Sequence, residues 1–109
     1  MKITNCTTAA SRPKSVTLTC GDGNTVLTKL TWSSFGGSTA AARGTFETNT
    51  CKPNCAAGKV LKYPVTIRAG GSLTCKHGVR VYAKLSIAFK GKVPAYVRPY
   101  RSWTFRCPY

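Results

Sequence analysis

Hydrophobic and polar residues alternate along most of this chain, with turn residues between the runs. In residues 14–20, Val16, Leu18 and Cys20 fall on one side and Ser15, Thr17 and Thr19 on the other, the pattern of a half-buried strand. Gly21, Asp22, Gly23 and Asn24 are a dense turn signal. Residues 25–32 then place Val26, Thr28, Leu30 and Trp32 on one face, so the two runs predict a hairpin. Residues 39–43 include Ala40, Ala41 and Ala42 and read as one helical turn, too short to stand alone. Residues 44–50 are polar and rich in threonine, which predicts an exposed strand.

The second half carries the stronger pattern. Residues 60–68 put Leu61, Tyr63, Val65 and Ile67 on one face, while Pro64 on the other argues for an edge or a bulge. Gly70 and Gly71 are expected to turn the chain. Over residues 79–90, Val79, Val81, Ala83, Leu85, Ile87 and Phe89 alternate with Arg80, Tyr82, Lys84, Ser86, Ala88 and Lys90, which predicts a single strand. Gly91, Pro94 and Pro99 punctuate a link. Residues 100–107 predict a last strand, with Trp103 and Phe105 on one face and Tyr100 and Arg106 on the other.

About six to eight short strands without an amphipathic helix predict an all-β fold. An antiparallel β-sandwich suits them, because each strong strand has one apolar face to bury. The 109 residues allow one domain, 1–109, in which residues 1–13 form an N-terminal arm held by Cys6.

Six cysteines, at positions 6, 20, 51, 55, 75 and 107, change the picture in two ways. In so short a chain they predict three disulfides, no free thiol and an oxidising compartment. They also raise a zinc alternative built from Cys51, Cys55, Cys75 and His77. The single residue between Cys75 and His77 is not a usual zinc-ligand spacing, so no metal or other cofactor is expected. No apolar run approaches the ~20 residues of a membrane-spanning helix. Met1 is followed by polar residues rather than the apolar core of a signal peptide, so the expectation is a secreted, mature domain without its leader.

Part of the pattern is more specific. Cys20-Gly21-Asp22-Gly23-Asn24, Leu30-Thr31-Trp32-Ser33-Ser34, Gly44-Thr45 and Asn49-Thr50-Cys51-Lys52-Pro53-Asn54-Cys55-Ala56-Ala57-Gly58 occur in this order, followed by Tyr63-Pro64-Val65 and Cys107-Pro108. Over residues 14–109 this resembles a family of small secreted actinobacterial disulfide-containing proteins of unknown function. The resemblance implies secretion and an all-β fold, and brings no catalytic residues. It also implies that Cys6 and Cys75 are additions here that pair with each other.

Charge points to a partner. Seventeen lysines and arginines face two acids, Asp22 and Glu47, for a formal net charge of +15. Residues 55–109 hold eleven of the cations and neither acid. Such a half-chain attracts polyanions, either nucleic acid or an anionic cell-envelope polymer. The strand parity nominates Arg80, Lys84, Lys90, Arg98 and Arg106 as phosphate contacts, with Tyr82 and Tyr100 as stacking platforms and Lys62 and Arg68 also facing outward. A protein partner is a further possibility.

Two other chemistries compete with that reading. Glu47 and His77 would serve a small secreted ribonuclease as general base and acid, although no motif ties them together. The loop from Cys51 to Cys55 would present Lys52 to a trypsin-like protease as an inhibitor, although Pro53 directly after Lys52 counts against a cleavable mimic. Asp22 and Asn24 supply too few oxygens for calcium and read as turn residues.

Overall fold

The computed structural model describes every residue except Asp22, Lys52, Pro53, Cys55 and Tyr109. Its strands are β1 (Ile3–Asn5), β2 (Thr8–Ala10), β3 (Val16–Thr17), β4 (Thr25–Ser34), β5 (Thr39–Asn49), β6 (Val60–Gly70), β7 (Leu73–Thr74), β8 (Arg80–Val81), β9 (Lys84–Phe89) and β10 (Ser102–Thr104). The fold is all-β, and its strand ladders are antiparallel. Only short 3₁₀ turns at Lys76–Gly78 and Arg98–Arg101 interrupt the strands and loops among the described residues.

Six strands form one sheet in the order β3, β4, β5, β6, β9, β10. β1 pairs with β2 and β7 with β8 as separate ribbons. The core lies on one face of the large sheet, where Leu27, Phe46, Ile67 and Leu85 cluster with Ile3, Val81, Val93 and Val97. The opposing layer is therefore built of small pieces: the arm, the β7–β8 ribbon and the 91–101 link.

Alternation explains β6 directly. Val65, Ile67 and Ala69 are buried while Pro64, Thr66 and Arg68 are exposed. Pro64 is tolerated because β9 begins to pair only at Val65, opposite Phe89. β4 departs from the expected parity. Its buried residues are Thr25, Leu27 and Leu30, while Val26 and Thr28 are only half-buried. The cause is a bulge between Thr28 and Thr31, where Lys29 has φ 53° and Gly44 is the β5 residue opposite. A Cβ on Gly44 would stand 2.7 Å from the Thr28 carbonyl oxygen, so only glycine fits. The expected helical turn at 39–43 is instead the start of β5, in continuous register with β6 from Thr39↔Gly70 onward.

The predicted strand 79–90 is divided. β8 and β9 keep one register with the facing chain, Leu73↔Val81 and Gly70↔Lys84, but residues 71–72 and 82–83 leave the ladder. The chain therefore does not reverse at Gly70 and Gly71; it reverses at the Lys76–Gly78 turn. At the gap the N-terminus runs alongside: Lys2 N donates to the Arg80 carbonyl and Tyr82 N donates to the Lys2 carbonyl, both at 3.0 Å.

Disulfides join Cys6 to Cys20 and Cys75 to Cys107. The Cys6–Cys75 pair implied by the family resemblance does not form, because β1 is drawn to β3 while the β7–β8 turn meets the C-terminus. Cys51 is also disulfide-bonded, and no described cysteine is free. The bond of Cys75 removes it from any zinc site with His77.

Candidate functional site

The face of the large sheet turned away from the core is open. Arg43 on β5, Arg68 on β6 and Lys84 on β9 are exposed there. Arg43 pairs with Thr66, Arg68 with Ser86 and Lys84 with Gly70. Each step from Arg43 to Arg68 to Lys84 thus crosses one strand and advances two residues, which sets successive backbones about 8 Å apart along one diagonal. Arg43 and Lys90 line one shallow depression with Thr66 and Ala88. Arg68 and Ser86 line the next, which shares Thr66 and Ala88 with the first. The small side chains of Thr66, Ser86 and Ala88 lie between the cations.

Among the described residues, compensating charge sits at one end of this face. Glu47 accepts a hydrogen bond from the Thr28 hydroxyl and lies 4.0 Å from Lys62. No other ion pair forms among the described residues, so Arg43, Arg68, Lys84 and Lys90 face solvent without an acid beside them.

The other nominated residues are scattered or covered. Arg80 is exposed on β8 and donates to the Ser72 hydroxyl at 3.1 Å, away from β9. Arg98 lies in the Arg98–Arg101 turn, and Arg106 lines a cleft beyond the end of β10. Tyr82 is fully buried and is not a stacking platform. Its outward parity is overridden because the N-terminus and residues 35–39 cover the gap in the ladder. Its hydroxyl bonds Gly36 N and the Gly37 carbonyl, and its ring meets Phe35 edge-on. Tyr100 is half-buried, stacked on Trp103 and packed against Phe46, so it too is committed to the fold.

Glu47 and His77 do not meet. Glu47 is opposite Lys62, and β6 runs about 27 Å from Lys62 to Gly70 before the chain continues to His77. The short ribbon from Leu73 to His77 covers only about 14 Å and cannot return that distance. Lys52 and Asp22 lie outside the described residues. Arg43 was hidden from the sequence by its alanine-rich surroundings; the signal that marks it is its parity with Ala41 and Thr45 once Gly44 is recognised as the partner of a bulge.

A second feature lies at the seam of the sheet. The edge strands β3 and β10 line one cleft of about 500 Å³, with Thr17 and Leu18 on one side and Trp103 and Thr104 on the other. β1 spans it: the Thr4 hydroxyl donates to the Arg106 carbonyl at 2.8 Å, and Asn5 Oδ1 accepts from Thr17 N at 3.0 Å.

Among the described residues no helix is long and apolar enough to cross a membrane. Comparison with protein-family models, with curated proteins and with solved structures finds no match for this chain.

Proposed function

We propose that this is a secreted, non-catalytic binding module that holds a polyanion on the open face of its six-stranded sheet. The observation that carries the reading is the shared border of the two depressions, which gathers Arg43, Arg68 and Lys90 on one surface while Lys84 extends the diagonal. An open face of cations with interspersed hydroxyls suits a phosphate-bearing polymer, which needs positive charge over a length rather than a deep pocket. The disulfides suit an oxidising, extracellular setting. With Tyr82 and Tyr100 committed to packing, the contacts are to backbone anions rather than to stacked bases, so a single strand gains nothing over a duplex beyond its charge.

The test is the salt dependence of binding to duplex DNA and to inorganic polyphosphate. Four engaged cations give a log–log slope of about −3 to −4 on duplex DNA. Arg68→Gln with Lys84→Gln flattens that slope by about 2, whereas glutamine at Lys2, Arg12 and Lys76 leaves it unchanged. Equal flattening by both sets shows attraction to bulk charge and overturns the site.

A further inference from the structure

We infer that the ligand of the open face is one extended alditol phosphate chain, of the poly(glycerol phosphate) type, lying along a line of four cations that ends at Arg106. The inference rests on the polyanion reading of that face and names its ligand. The diagonal from Arg43 to Arg68 to Lys84 does not stop at β9. Lys84 is paired with Thr104 on β10, and the Phe105 N–H still donates to the Ala83 carbonyl at 2.8 Å, so the chain keeps its alternation beyond the strand. Phe105 is buried and Arg106 is exposed, on the side of Thr104. Arg106 thus takes the next place, again one strand across and two residues on. The four cations follow one line about 24 Å long, at steps of about 8 Å.

Each cation but the last has a hydroxyl residue directly opposite it on the next strand. Arg43 is opposite Thr66, Arg68 opposite Ser86 and Lys84 opposite Thr104, and all of these are exposed. The repeat of the surface is therefore one positive charge and one hydroxyl. A glycerol phosphate chain repeats one phosphodiester and one free hydroxyl, and its three-carbon spacer lets it stretch close to the step between cations. The anhydride links of polyphosphate are too short for that step and carry no hydroxyl. Nucleic acid carries bases, but the aromatic residues of these four strands, Phe46, Tyr63, Phe89 and Trp103, pack against the core and leave the bases nothing to stack on. None of the four cations is paired with an acid among the described residues. Lys90 stands beside the line, in the depression it shares with Arg43.

The experiment titrates the intact protein by calorimetry, over a series of salt concentrations, with synthetic glycerol phosphate oligomers of two, four and eight units and with oligouridylate of the same charge as the four-unit chain. The log–log salt slope is expected to double from two units to four and to stay unchanged at eight, at about 0.7 per contact on the single-strand scale. Arg106→Gln removes about one contact from the slope with four units. Lys76→Gln, beside the other end of the Cys75–Cys107 bridge, leaves that slope unchanged. Thr66→Val with Ser86→Ala weakens the four-unit chain about three- to tenfold and leaves polyphosphate unaffected. All of these positions are exposed, so the core is untouched. Oligouridylate bound as tightly as the four-unit chain, a slope that still grows at eight units, or equal losses in Arg106→Gln and Lys76→Gln overturns the inference. The polyanion reading survives any of those results if Arg68→Gln with Lys84→Gln flattens the slope for duplex DNA. If that slope does not flatten, the polyanion reading falls as well.

Discussion

The Tyr82 hydroxyl donates to the Gly37 carbonyl at 2.8 Å, across 45 positions of sequence. It also accepts from Gly36 N at 2.9 Å, so one phenol holds the β4–β5 connection over the gap where β8 passes into β9. Tyr82→Phe removes both bonds but keeps the ring. Gly36 and Gly37 are exposed enough for water to replace the hydroxyl, so the expected loss is about 1 kcal/mol in urea unfolding. Tyr82→Ala empties a fully buried site and should cost about 3–5 kcal/mol. Unchanged stability in Tyr82→Phe together with weaker binding to single-stranded DNA would restore the tyrosine as a ligand contact.

Gly44→Ala tests the bulge. Its Cβ would meet the Thr28 carbonyl oxygen at 2.7 Å and Leu30 Cδ2 at 2.6 Å. Leucine can change rotamer, but the carbonyl belongs to the paired strand and cannot. The expected cost is about 1–3 kcal/mol, seen as a lower denaturation midpoint. Gly21→Ala is the control: nothing lies within 4 Å of its Cβ, and the change should stay within about 0.5 kcal/mol. A neutral Gly44→Ala would show that the two strands can part at this point without cost.

How much of this was readable beforehand differs from strand to strand. Residues 60–68 were legible because burial on one face and exposure on the other persist along the whole run. The same parity placed Arg68, Lys84 and Lys90 outward. It failed at Tyr82, since alternation records which way a side chain leaves its own strand and not what later folds over it. Covering groups come from Lys2 and Gly37, far away in sequence. Residues 39–43 misled for a local reason: alanine favours helix, and only the ladder with β6 overrides that preference. The disulfide map was illegible because it depends on how the sheet curls, which brings the arm to β3 and the C-terminus to the Lys76–Gly78 turn.

That map is itself testable. Peptide mapping without reduction should recover Cys6 linked to Cys20 and Cys75 linked to Cys107. The bridges span 14 and 32 positions, so by loop-closure entropy they contribute about 3 and about 4 kcal/mol. Replacing Cys75 and Cys107 by alanine should therefore destabilise the protein at least as much as replacing Cys6 and Cys20. A peptide joining Cys6 to Cys75 would contradict the observed arrangement of arm and turn.

Glu47 gives the sharpest contrast between a catalytic and a binding protein. It is the acid at the end of the open face, bonded by Thr28 and 4.0 Å from Lys62, whose side chain is 62% exposed. A pair so accessible to water and salt contributes at most about 1 kcal/mol, so Glu47→Gln should leave folding nearly intact. Removing the negative charge frees Lys62, which stands opposite Glu47 on β6, and adds it to the cations of the open face. Affinity for polyphosphate at low salt is then expected to rise a fewfold, and the rise should fade as added salt screens the surface. A ribonuclease that relied on Glu47 as its base would behave in the opposite way, losing turnover of RNA with little change in binding. Measuring both quantities on the same variant decides the matter: weaker polyphosphate binding, or RNA cleavage by the wild type that Glu47→Gln abolishes, would remove the binding-module reading. A rise in affinity with no turnover in either protein would leave the acid as a local brake on an otherwise cationic face.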